Sequence, residues 1–111
     1  MMEISNAIID KVFIGIERGH LTWWIHLEDE FGSQNFGGYS LIPEYVESIL
    51  KVASVSSWGD LLGQTIRVER KQRYDSITGI GHIFRNVWFR PGGNPFEGSP
   101  TWVKGKKSGP R

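Results

Sequence analysis

Residues 43–53, PEYVESILKVA, decide the fold, because they carry a helical pattern within a chain otherwise rich in strand patterns. Pro43 sets φ for a first helical turn. Acidic side chains at Glu44 and Glu47 suit the positive end of a helix macrodipole. Apolar side chains then recur at the i, i+3, i+4, i+7 spacing of an amphipathic helix, at Val46, Ile49, Leu50 and Ala53. The stretch predicts one main helix with a single apolar face.

Strand patterns lie on both sides of this helix. Gly15 is a candidate for a β-bulge, and the paired glycines Gly37 and Gly38 allow another group to approach the backbone closely. After the helix, Ser57 and Gly63 bound a short helical segment. The predicted strands are 7–17, 21–27, 34–41, 65–71, 76–84 and 86–90, with a turn at 18–20. This order predicts an α+β fold: an antiparallel β-sheet of about five to six strands with one main helix and a short second helix.

The predicted domain covers residues 1–91, and residues 92–111 read as a tail of different composition. The tail combines glycine, proline and lysine, so we expect a mobile basic C-terminal tail, in which Phe96 or Trp102 docks onto the body or a neighbouring subunit. The chain has 111 residues and no cysteine, which excludes disulfides and thiolate metal sites. No apolar run reaches the roughly 20 residues of a membrane span, and the first residues lack signal-peptide features. These features favour a soluble, intracellular protein.

The net charge of +1 conceals a strong asymmetry along the chain. Residues 1–60 hold nine acidic side chains against three basic ones, a balance of −6, whereas residues 61–111 hold ten basic against three acidic, a balance of +7. Such a division indicates an anionic partner or a complementary contact between copies.

The basic half also places arginine close to aromatic residues. Guanidinium groups pair with phosphate and stack on flat rings, and aromatic faces stack on bases. The alternatives are that the arginines line a solvated strand face and that the tryptophans belong to the core. The side chains concerned are Arg67, Arg70, Arg73, Arg85, Arg90, Tyr74, Phe84, Trp88 and Phe89. The combination predicts binding of a nucleotide-like ligand.

No residue pattern supports catalysis, a cofactor or a metal site. His20 and His26 are scattered, and His82 has no fixed partner that would mark it as a general base. The acidic run 28–30 has no metal-loop spacing and reads as a solvated turn. Gly79-Ile-Gly81 lacks the third glycine and the following helix of a dinucleotide-binding motif. We therefore expect a protein that is not an enzyme and that carries no cofactor.

Five segments in this order resemble the Thoeris anti-defence protein of the first type, a small phage family. The resemblance covers roughly residues 4–91 and rests on the ordered set, because no single segment is specific. The segments are Ile14-Gly-Ile-Glu17, Phe36-Gly-Gly-Tyr-Ser-Leu41, Trp58-Gly-Asp-Leu-Leu-Gly63, Ile66-Arg-Val-Glu69, and Ile80-Gly-His-Ile83 continuing to Trp88-Phe89.

The resemblance implies a sponge in the cytoplasm of an infected bacterium. Such a protein sequesters the cyclic ADP-ribose isomers made by TIR-domain proteins, and in some members cyclic di- or trinucleotides, without cleaving them. It also implies a homo-oligomer, a dimer or a hexamer of three dimers, with the pocket at a subunit contact and no membrane association. The expected ligand-binding residues are Trp58, Arg67, Arg70, Arg85, Asn86, Trp88, Phe36 and Gly37. A small nucleic-acid-binding module and a nucleotide hydrolase with His82 as base remain the alternatives.

Overall fold

A six-stranded antiparallel sheet with one helix packed on it forms the structure, which confirms the predicted α+β fold. The computed structural model describes residues 2–91, except for the side chains of Tyr39 and Ser40, so the predicted tail at 92–111 lies outside the described residues. The elements are β1 (Glu3–Glu17), β2 (His20–Asp29), β3 (Gly32–Ser40), α1 (Pro43–Ala53), a 3-10 turn (Trp58–Leu61), β4 (Thr65–Arg70), β5 (Ile77–Gly81) and β6 (Trp88–Phe89). The strand order is β3-β2-β1-β4-β5-β6.

The helix covers one side of the sheet, which we call the helix face. Tyr45, Ile49 and Val52 are the buried side chains of α1. They belong to the same core cluster as buried side chains from all six strands: Ile9, Trp23, Ile25, Phe36, Ile66, Val68, Ile80 and Phe89. The aromatic members contact each other edge-on, with Tyr45 and Phe89 ring centroids 5.1 Å apart. The apolar stripe of the helix therefore pairs with alternate residues of the strands.

The opposite side of the sheet, which we call the outer face, has no helix over it in the described part of the chain. On β4, Ile66 and Val68 point to the helix face, so Arg67 and Glu69 point outward. The strand register brings Arg67 opposite Gly81, and Gly81 opposite Trp88. The outer face of β4, β5 and β6 thus combines charged side chains, two glycines and one tryptophan.

Three sequence-based expectations need correction. The β-bulge in β1 lies between Ile9 and Lys11, not at Gly15. Ser57 does not cap the backbone of the predicted short helical segment, a 3-10 turn at Trp58–Leu61, because its hydroxyl bonds to the Asp60 carboxylate at 2.9 Å. The last two predicted strands are shorter than expected, because residues 82–87 form a loop between β5 and β6. The paired glycines do permit a close approach: the Trp23 indole lies against Gly37, which has φ +122°.

Candidate functional site

The loop at residues 82–87 and the outer face beside it hold the candidate site. Arg67 projects from β4 toward this loop and holds it by two hydrogen bonds. Its Nε donates to the carbonyl oxygen of His82 at 2.6 Å, and one terminal nitrogen donates to the carbonyl of Arg85 at 2.8 Å. The arginine thereby fixes the conformation of the loop and keeps its own positive charge there.

His82 holds the same loop from within. Its Nδ1 accepts hydrogen bonds from the backbone N–H groups of Phe84 and Arg85, at 2.9 and 3.0 Å. A ring nitrogen that accepts from two donors carries no proton of its own, so the neutral ring has its proton on Nε2. This bonding ends β5 early, because backbone groups that would have continued the strand bond instead to a side chain. His82 therefore acts as a local brace of the loop.

Arg85 leaves the loop toward the end of α1. One of its terminal nitrogens donates to the Ser54 hydroxyl at 3.0 Å, where the helix ends in the left-handed conformation. The side chain of Arg85 is otherwise exposed, and Asn86 beside it is exposed as well. The exposed Phe84 ring, at 85 % exposure, lies tilted to the His82 ring at 6.2 Å. Cationic, amide and aromatic groups are thus presented together on one short loop.

Trp88 lies flat against the outer face because Gly81 leaves room for it. A Cβ on Gly81 would fall 2.6 Å from carbons of the Trp88 ring, so any larger residue would displace the indole. The guanidinium carbons of Arg67 and Arg90 each lie 4.8 Å from the ring centroid. Such cation–π contacts contribute about 0.5–1 kcal/mol at exposed sites. Base stacking, at about 1–3 kcal/mol, is strong enough to replace one of them.

Of the two arginines that contact Trp88, Arg90 has a carboxylate partner, whereas Arg67 has none among residues 2–91. Arg90 forms a bidentate pair with the buried Glu69, with both N–O distances 2.9 Å. The hydrogen bond from Arg90 is the main cause of the lowered pKa of Glu69, and the same bond raises the pKa of Arg90. Within residues 2–91, no carboxylate lies within salt-bridge distance of Arg67 or Arg85. Two guanidinium groups at this loop therefore carry uncompensated positive charge, which suits an anionic ligand.

The structure separates Arg70 from this cluster. Arg70 is buried at the other end of β4, where it bonds to the Asp29 carboxylate at 2.6 Å and to the carbonyl of Asp75 at 3.0 Å. Burial raises the pKa of Asp29, but hydrogen bonds from Arg70, Ser5 and the backbone of Phe31 outweigh it and lower that pKa overall. Arg70 is accordingly a structural residue with a fixed partner.

Three of the other predicted site residues belong mainly to the core side of the sheet. Phe36 is buried, with its ring edge-on to Trp23 and Phe89. Gly37 lies against the Trp23 indole. Trp58 packs edge-on to Trp23 at 6.2 Å, and its indole N–H is buried without a hydrogen-bond partner among residues 2–91. The predicted residues that the structure brings to the loop and outer face are Arg67, Arg85, Asn86 and Trp88.

Phe84, one of the rings that the sequence analysis places beside the arginines, was left out of the expected ligand-binding residues, although its ring is exposed on this loop. Ser54 was not predicted at all. Ser54 receives a hydrogen bond from Arg85 across 31 positions of sequence, and nothing in its local sequence indicates that contact.

The described residues contain no cluster of His, Cys, Asp or Glu that could hold a metal ion, and no helix long and apolar enough to cross a membrane. Comparison of the chain with protein-family models, with curated proteins and with solved structures finds no match.

Proposed function

We propose that this protein is a non-catalytic sponge that captures a cyclic ADP-ribose isomer in the cytoplasm of an infected bacterium and thereby blocks Thoeris immunity. The observation that carries the proposal is the pair Arg67 and Arg85, two guanidinium groups at one braced loop for which residues 2–91 provide no carboxylate partner. Cyclic ADP-ribose has a pyrophosphate, an adenine and two riboses. Its recognition calls for cations, an aromatic face and hydrogen-bonding groups, which this loop and Trp88 supply.

Capture without chemistry requires only complementarity. Arg67 is positioned before any ligand arrives, because two backbone carbonyls hold its guanidinium, and such preorganisation lowers the entropic cost of binding. The ring of His82 uses Nδ1 for the loop, which leaves that atom unsuited to accept a proton from substrate. Assembly of the chain as a dimer or a hexamer, and capture of cyclic di- or trinucleotides in further pockets, are parts of the same proposal.

The test compares ligand capture by variants in each of which one arginine is replaced by neutral glutamine. The protein is incubated with a cyclic ADP-ribose isomer, freed of unbound ligand and heat-denatured, and the supernatant is analysed by mass spectrometry. We expect unchanged ligand at stoichiometric yield. Arg67→Gln and Arg85→Gln should each weaken capture at least tenfold, since hydrogen bonds to charged groups contribute about 1.5–3 kcal/mol. Arg73→Gln, an exposed arginine at the far end of β4, is the control and should bind normally.

Two results would overturn this proposal. Recovery of a cleaved ligand would make the protein a hydrolase, and equal effects of all three arginine variants would remove the site from this loop.

A nucleic-acid-binding module is the second candidate, and one observation favours it. Trp88 and its two flanking arginines lie on a sheet face with no helix over it in the described residues, an arrangement typical of platforms that stack single-stranded bases. Oligonucleotide affinity that falls steeply with added salt, without capture of the small ligand, would establish this alternative.

A further inference from the structure

The second half of β1 has an unpaired edge. β1 pairs with β2 along most of its length, but β4 pairs only with residues Glu3 to Ile8. Ile9 makes the last contacts on that side, accepting from the N–H of Gly63 at 2.8 Å and donating to the carbonyl of Gln64 at 3.0 Å. Within the described residues, the strand from Val12 to Glu17 therefore has a neighbour on one side only.

The hairpin turn determines which backbone groups point to this edge. Arg18 and Gly19 both have positive φ, at 54° and 82°, and Glu17 pairs with His20, as in a two-residue type I′ turn. The closing pair of such a hairpin exchanges both backbone hydrogen bonds, and hydrogen-bonded pairs alternate along the strands. The backbone groups of Glu17, Gly15 and Phe13 thus face β2, and those of the alternate residues face outward.

Among the described residues, the N–H and C=O groups of Val12, Ile14 and Ile16 consequently have no backbone partner along the edge. The bulge at Asp10 agrees with this assignment. The backbone groups of Ile9 point to the β4 side of β1, where they bond to Gly63 and Gln64. Without a bulge, Lys11 would be the next residue to point that way, but the extra residue in the bulge shifts the alternation to Val12.

The side chains at this edge are apolar and exposed. Ile14 is 40 % exposed, Ile16 is 66 % exposed, and Leu21, the cross-strand partner of Ile16, is 46 % exposed. All three lie on the helix face, because Ile14 is opposite the core residue Trp23. Natural edge strands are usually protected by lysine, proline or an inward charge, and residues 12–16 contain none of these. An edge of this kind is suited to pairing with another strand.

The sequence of the edge is complementary to itself. If two copies of residues 11–17 run antiparallel with Ile14 opposite Ile14, then Val12 lies opposite Ile16. In the same register Phe13 lies opposite Gly15, and Lys11 lies opposite Glu17, which joins opposite charges at both ends. The register also matches the direction of the backbone groups. Residues 12, 14 and 16, whose N–H and C=O groups face the edge, are the ones that it places in hydrogen-bonded pairs. A two-fold contact uses the same surface on both copies, and this surface meets that condition.

We propose that two copies of the chain join through antiparallel pairing of residues 11–17 of β1, with the two-fold axis at Ile14, to form one continuous sheet. The exposed isoleucines of both copies then meet on the helix face and leave water together. This pairing gives a specific contact to the oligomer that the proposed function includes and rests on it in that respect, but it is argued without reference to the ligand, so that strand pairing and ligand capture are tested separately.

The chain has no cysteine, which allows a register-specific test. Hydrogen-bonded antiparallel pairs have Cα atoms about 5.5 Å apart, within disulfide range. We expect Ile14→Cys to form a disulfide-linked dimer under mild oxidation. Ile8→Cys is the matched control, because Ile8 is 50 % exposed on the same strand but already opposite Thr65 of β4. It should remain uncrosslinked.

Solution mass provides the second measurement. By light scattering, the wild-type chain should have twice its 12.6 kDa mass, or six times that mass where three such dimers assemble. Lys11→Glu should raise the dimer dissociation constant at least about tenfold, by placing like charges opposite each other, and the swap Lys11→Glu with Glu17→Lys should restore it.

A monomeric wild type would overturn the pairing, as would equal crosslinking at positions 14 and 8, or a charge swap that fails to rescue. Ligand capture by the same samples is measured separately and tests the proposed function.

Discussion

Replacing Arg70 by methionine should destabilise the protein strongly and in a pH-dependent way. The Arg70 side chain is 7 % exposed, and the Asp29 carboxylate that it contacts at 2.6 Å is 1 % exposed. Asp29 also accepts a hydrogen bond from the Ser5 hydroxyl at 2.8 Å and one from the backbone of Phe31 at 2.9 Å. Methionine fills much of the same volume but leaves the buried carboxylate without its counter-ion.

The expected cost at neutral pH is about 3–5 kcal/mol, the usual penalty for removing one partner of a buried ion pair. Domains of this size are stable by about 5–15 kcal/mol, so the variant should still fold but with little margin. With a urea dependence of about 1–3 kcal/mol per molar, the unfolding midpoint should fall by roughly 2 M. Arg73→Met removes an exposed arginine near the same strand end and should cost less than about 1 kcal/mol.

Acid should reduce the difference between variant and wild type. Burial raises the pKa of Asp29, but in the wild type the bonds from Arg70, Ser5 and Phe31 lower it below its usual value of 3.8. The wild-type contribution is therefore full above about pH 4 and is lost as the pH falls further. Without Arg70, burial dominates, and the folded variant takes up a proton on Asp29 more readily.

Urea unfolding followed by circular dichroism at pH 7, 5 and 4 measures this difference. A penalty below about 1 kcal/mol at pH 7, or one that stays constant across the series, would refute the reasoning.

Two further predictions concern the outer face and the core. Gly81→Ala should lower the free energy of unfolding by about 1–3 kcal/mol and displace Trp88, because a Cβ at this position would lie 2.6 Å from the indole. Gly59→Ala is the control: a Cβ there has no atom within 4 Å, so urea unfolding should be nearly unchanged. Trp58→Phe should cost less than about 1.5 kcal/mol, since it removes a buried N–H that has no hydrogen-bond partner among residues 2–91. Trp58→Ala should cost about 3–5 kcal/mol, and equal losses in the two variants would contradict this reasoning.

The sequence predicted the elements of the fold because their signals are local. The helical spacing after Pro43 and the β1–β2 hairpin both depend on residues near each other in the chain. The bulge was misplaced because glycine is only one of the residues that bulges accept. Its actual position at Asp10 lies just beyond the point where β4 stops pairing with β1, and that pairing joins segments far apart in sequence.

The candidate site was predicted less well, for a reason visible in β4 itself. Alternation along the strand places Ile66, Val68 and Arg70 on one face and Arg67 on the other, so Arg67 and Arg70 cannot serve one site. That division follows from period-two geometry and could have been predicted. The partner of Arg70 could not, because Asp29 is 41 positions away and meets it only through the strand order β2-β1-β4.

The excess positive charge of the second half of the chain can be assigned to particular arginines by the ion pairs that they form. Asp29 from the acidic half neutralises Arg70, and Glu69 neutralises Arg90. Arg67 and Arg85 keep their charge at the end of the sheet where β4 begins, which is also where β1 continues alone. In the proposed pairing, the β1–β2 hairpin of the second copy lies along the part of β1 that extends beyond β4. Its turn then lies beside Asp10 and the start of β4. The uncompensated charges and the contact between copies would then share one end of the sheet, so a ligand bound at the loop at residues 82–87 would lie near both chains.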